Sequence, residues 1–98
     1  MSVAKEKRAV FDFDSPEIQS LLKTIRKSKE VKVQPAEVGY RLLPNYFGSD
    51  VIEVLIVLPS DFNVDNMTYE DTSALKQIVR SWSKANFPEF TIMFSFDQ

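Results

Sequence analysis

Residues 50–59, DVIEVLIVLP, constrain the fold of this chain more than any other stretch. β-Branched residues dominate the run, Gly48 and Ser49 precede it, Pro59 stops it, and it is far too short to cross a bilayer as a helix. It therefore reads as the central strand of a small sheet rather than as a helix, and the other segments are placed around it.

Upstream, Ala9, Phe11 and Phe13 alternate with Val10, Asp12 and Asp14 from Arg8 onward, a period of two that predicts a short strand with an aromatic face. Ser15-Pro16-Glu17 then opens a helix, because a serine caps free amides, proline suits the first helical position and a carboxylate suits the positive end of the dipole. Ile18, Leu21, Leu22 and Ile25 make its apolar stripe. Residues 31–34 are extended in character up to Pro35. Residues 37–43 alternate Val38, Tyr40 and Leu42 against Gly39, Arg41 and Leu43, and a turn-rich connection over 45–50 predicts a hairpin into the central strand. Residues 60–67 read as a polar loop. Thr68 and Asp71 form a capping-box pattern before a second stripe of Leu75, Ile78, Val79 and Trp82, and Asn86-Phe87-Pro88 ends that helix. Phe90, Ile92, Phe94 and Phe96 alternate along a last strand.

The resulting order, β-α-β-β-α-β, is that of a ferredoxin-like α+β sandwich: a four-stranded antiparallel sheet with two helices on one face and the first and third strands at its centre. Residues 1–7 are expected to be a flexible charged lead-in and 8–98 a single domain, since 98 residues close one core.

Composition narrows the chemistry. The chain has neither cysteine nor histidine, which removes thiol catalysis, disulfides, cysteine-based metal sites and the commonest general base. Twelve basic against fourteen acidic residues do not favour a protein built to neutralise nucleic-acid phosphates. No apolar region follows the charged start, so the expected address is the cytoplasm, with no membrane partner. Charge is uneven: nine basic and six acidic residues stand through Ser49, three basic and eight acidic after it.

The pleat assigns one sheet face, with Phe11, Phe13, Val38, Tyr40 and Leu42 among its residues, to the helices. It leaves Val10, Asp12, Arg41, Leu43, Glu53, Leu55, Val57, Thr91, Met93 and Ser95 on the other. That face is more apolar than a solvated one, so Leu43, Glu53, Leu55, Val57 and Met93 are expected to meet a partner protein or a second copy, with Tyr46 and Phe47 in the turn as further contacts. A tail or loop folding over the face is the competing expectation. Strand order is shared with RNA-recognition domains, but residues 51–58 offer no aromatic, glycine or cation of the kind that family uses.

Three other constellations stand beside this reading. Phe11-Asp12-Phe13-Asp14 resembles the Asp-x-Asp of haloacid-dehalogenase-like phosphotransferases over four residues, which would imply metal-dependent phosphate chemistry at Asp12 and Asp14; Ser15-Pro16 stands where that family has Gly-Thr. Asp61, Asn63 and Asp65 have the opening spacing of a calcium loop within the acidic stretch 61–71, but the twelfth position is Thr72. Lys23, Arg26, Lys27, Lys29 and Lys32 form a basic cluster that would serve a nucleic-acid-binding alternative. The sequence thus predicts a non-enzymatic protein–protein interaction module that binds a partner protein or itself as a homodimer, with a small accessory, regulatory or inhibitor role and no cofactor.

Overall fold

The computed structural model describes residues 10–63, 65 and 67–98. The expected lead-in over 1–7, the first two residues of the expected N-terminal strand, and Val64 and Asn66 of the acidic loop lie outside the described residues. The elements run α1 (Pro16–Lys27), β1 (Glu37–Tyr46), β2 (Ser49–Val57), α2 (Tyr69–Asn86) and β3 (Thr91–Asp97). No helix among the described residues is long and apolar enough to cross a membrane.

Both helices start where the sequence places them. The Ser15 hydroxyl accepts from the Ile18 amide at 3.3 Å, with Pro16 in the first turn. At α2 the capping box is complete: the Thr68 hydroxyl accepts from the Asp71 amide at 3.4 Å and the Asp71 carboxylate accepts from the Thr68 amide at 2.9 Å. The α1 C-terminus is closed by Gln34, whose Nε2 donates to the Ile25 carbonyl at 3.1 Å.

The sheet corrects the expected ferredoxin-like plan. It is three-stranded and mixed, in the order β1-β2-β3, with β1 antiparallel and β3 parallel to β2. Residues 10–14 form no strand; a single antiparallel bridge joins Asp12 to Tyr40 of β1. The reason is local. Asp12 Oδ1 accepts from the amides of Asp14 and Ser15 at 2.8 and 3.0 Å, turning the chain into the α1 cap after one bridge. With no first strand to occupy it, the second edge of β2 is taken by β3, and α2 supplies the long crossover that a parallel connection requires. β2 is buried along residues 51–57, as its composition predicts.

The helix-side core is Ile18, Leu21 and Ile25 of α1, Leu75, Val79 and Trp82 of α2, and Val38, Ile52, Val54, Ile56 and Leu58 beneath them. Trp82 Nε1 donates to the Glu17 carbonyl at 2.9 Å and its ring packs edge-on to Tyr40 and Phe87, tying both helices to β1. Phe11 and Phe13, expected on this side, lie on the opposite one. Phe11 packs with Leu55 and Val57 in a second small cluster, and Phe13 closes over it. Gly39 permits this approach: a Cβ there would stand 2.7 Å from the Phe13 ring.

Candidate functional site

The β1–β2 hairpin ends in a tip whose backbone is unusual for its residues. Asn45, Phe47 and Gly48 have φ of 59°, 51° and 83°. Asparagine and glycine tolerate this left-handed region, and the Asn45 amide is further held by Asp50 Oδ1 at 3.0 Å. A phenylalanine there costs roughly 1–2 kcal/mol. Its side chain recovers little burial, because Phe47 is 92% exposed and touches Tyr46 edge-on, with ring centroids 4.7 Å apart. Tyr46 and Leu42 are also exposed, so the hairpin end carries an apolar group standing clear of the core. Leu42 shares the pleat side of Val38 and Tyr40, as expected, but lies toward the hairpin end of an edge strand, where no helix covers it.

The sheet face away from the helices is not the open apolar surface expected. Leu55 and Val57 are buried beneath Phe11 and Phe13, so the exposure predicted for them is corrected by the N-terminal segment folding over them. Glu53 is buried too. Its Oε1 receives Arg41 Nε and Nη2, each at 2.7 Å, from the directly opposed position on β1, and its Oε2 accepts from the Ser95 hydroxyl on β3. The Arg41 guanidinium lies 5.0 Å from the centre of the Phe11 ring, so one cation links the covering segment to the buried carboxylate. This arrangement pairs a charge that would otherwise be costly to bury, and it uses Glu53 to bind three strands together. Leu43 and Met93 are half-buried on the same face.

The remaining constellations are dispersed. Asp12 and Asp14 are both exposed, and Asp12 is committed to the turn that leads into α1. In the acidic loop Asn63 Oδ1 accepts from the Asp65 amide at 3.0 Å, and Asp71 belongs to the α2 cap. Among the described residues no group of three or more potential metal-ligating side chains converges. Lys23, Arg26, Lys27, Lys29 and Lys32 are all exposed; Arg26 reaches the Pro35 carbonyl at 3.5 Å, and Lys32 borders a hollow that also holds Glu30 and Glu70. A larger groove of about 730 Å³ runs between the helices, floored by Leu21, Ile78 and Trp82 and edged by Arg80 and Lys84.

One feature of β3 has no counterpart in the sequence reading. Lys76 Nζ lies 5.8 and 5.6 Å from the ring centres of Phe94 and Phe96, and the Arg80 guanidinium lies 5.2 Å from Phe94. The signal was present as two cations four residues apart on α2, but only the parallel placement of β3 brings them to the aromatic residues. Searches of protein-family models, curated proteins and solved structures found no match to this chain.

Proposed function

We propose that the protein is a non-enzymatic protein–protein interaction module that engages its partner through the tip of the β1–β2 hairpin, with Phe47 as the anchor and Tyr46 and Leu42 beside it. The observation that carries this reading is the 92% exposed Phe47 held at φ 51°. A residue that is strained in the backbone and gains almost no burial contributes little to folding, and such outliers concentrate at sites of contact. Aromatic side chains on loop tips also bring large contact area at small entropic cost.

The test places the photo-crosslinking residue p-benzoylphenylalanine at position 47, and separately at exposed Glu89 as a control, in extract of the native cells. The reading expects a discrete protein captured from position 47, competed by excess unlabelled wild type but not by Phe47→Asp. Equal capture from both positions, or equal competition by the two proteins, overturns it. Capture of the chain itself, with a concentration-dependent mass in light scattering, identifies the partner as a second copy.

A further inference from the structure

The two edges of the sheet are treated differently. Along β1, the Tyr40 amide donates to the Asp12 carbonyl at 3.1 Å and the Tyr40 carbonyl accepts from the Asp12 amide at 2.8 Å. The same alternation turns the backbone of Val38 and Leu42 outward; the register shifts after Leu43, and Pro44 in that irregular stretch has no N–H to offer. One edge is thus partly paired and partly blunted. At the other edge, the Leu58 amide donates to the Asp97 carbonyl at 2.8 Å, and β3 runs in register with β2 from Thr91 to Asp97. Alternation then directs the backbone groups of Met93, Ser95 and Asp97 toward β2, and those of Ile92, Phe94 and Phe96 outward. Among the described residues no strand pairs with them. β3, TIMFSFD, contains no proline or lysine, residues with which proteins often protect an edge, and its one charge, Asp97, stands at its last position.

The α2 side chains that reach this edge are cationic, Arg80 bordering also the hollow that holds Glu30 and Glu70. Lys76 and Arg80 are held over the rings of Phe94 and Phe96, on the same side of the sheet as the side chains of an incoming strand paired with Ile92, Phe94 and Phe96. We infer that the outer edge of β3 is a docking edge for an extended acidic segment of another protein, which joins the sheet as a fourth strand. Main-chain hydrogen bonds to Ile92, Phe94 and Phe96 hold that segment, and carboxylates at its alternate positions face Lys76 and Arg80. Two other occupants fit less well. A second copy paired β3 to β3 about a two-fold axis would bring Lys76 and Arg80 against their own copies. Residues 1–9 of this chain carry Lys5, Lys7 and Arg8 against a single Glu6, the same sign as the edge. The inference is independent of the hairpin tip, which joins β1 to β2 and contains no residue of β3.

The experiment has two steps. Amide exchange followed by NMR on the free protein at low concentration is expected to show Ile92, Phe94 and Phe96 exchanging at least about tenfold faster than Met93, Ser95 and Asp97. Slow exchange at all six positions in the monomer means that the edge is already covered and overturns the inference. Random twelve-residue peptides displayed on phage are then selected on wild-type protein, and the winners are synthesised for fluorescence anisotropy. The inference expects acidic residues at alternate positions, protection of the Ile92, Phe94 and Phe96 amides in the complex, and loss of affinity of about tenfold or more in the Lys76→Glu, Arg80→Glu double variant and on N-methylation of alternate peptide amides. Phe47→Asp is expected to leave this binding unchanged. Absence of enriched peptides, enrichment of basic ones, indifference to N-methylation, or dimerisation through β3 in light scattering each overturns it.

Discussion

Replacing Phe11 by alanine tests the least expected feature of this fold, the closure of the second sheet face by the N-terminal segment. Phe11 is 6% exposed, packs with Leu55 and Val57, and carries the Arg41 guanidinium 5.0 Å from its ring centre. Truncating a buried phenylalanine to alanine costs about 3–5 kcal/mol, and the lost cation–π contact belongs within that figure. Because a small domain has about 5–15 kcal/mol in total, Phe11→Leu, at about 1–1.5 kcal/mol, serves as a milder companion. The decisive quantity is the coupling in double-mutant cycles measured by urea denaturation. Phe11→Leu with Val57→Ala should show an interaction energy of about 0.5 kcal/mol or more, because the two side chains share one cluster. Phe11→Leu with Leu75→Ala should be additive within about 0.5 kcal/mol, because Leu75 belongs to the helix-side core across the sheet. Coupling to Leu75 and none to Val57 would refute the placement of Phe11 and restore the helix-facing strand.

Other outcomes follow from the same geometry. Gly39→Ala should destabilise by about 1–2 kcal/mol in wild type, as the added Cβ pushes Phe13 off the sheet, and should become neutral or stabilising in a Phe13→Ala background; equal effects in both backgrounds, by thermal or chemical denaturation, would contradict the close approach. Phe47→Gly should raise stability by up to about 1 kcal/mol by relieving the positive φ, while weakening partner capture, so a loss of stability would show that the ring packs more than its exposure implies. Thr68→Ala should cost about 1 kcal/mol through the α2 cap, and amide exchange should localise the effect to the first turn of that helix.

The apolar period along the chain carried much of the secondary structure. Ser15-Pro16 and Thr68 to Asp71 marked where the helices begin because a cap is a local contest for free amides, settled within four residues. The run over 50–59 marked the central strand because its neighbours on every side had to be apolar too. Tyr46 and Phe47 were legible as outward-pointing, since a turn between strands has nowhere else to aim its side chains.

Periodicity failed where two arrangements satisfy the same pattern. The alternation of Phe11 and Phe13 shows that these rings want burial, but not on which face of the sheet, and the choice depended on the Asx turn at Asp12 and on the space above Gly39. Likewise, the apolar run of residues 90–96 called for a partner strand without saying whether it would lie parallel to β2 or antiparallel to an N-terminal strand. Local sequence thus determined the helices, the hairpin and the residues that must leave water. Tertiary structure alone decided strand order, which face the N-terminal segment covers, and which edge stays open, because burial is non-directional and those choices depend on contacts between residues far apart in the chain.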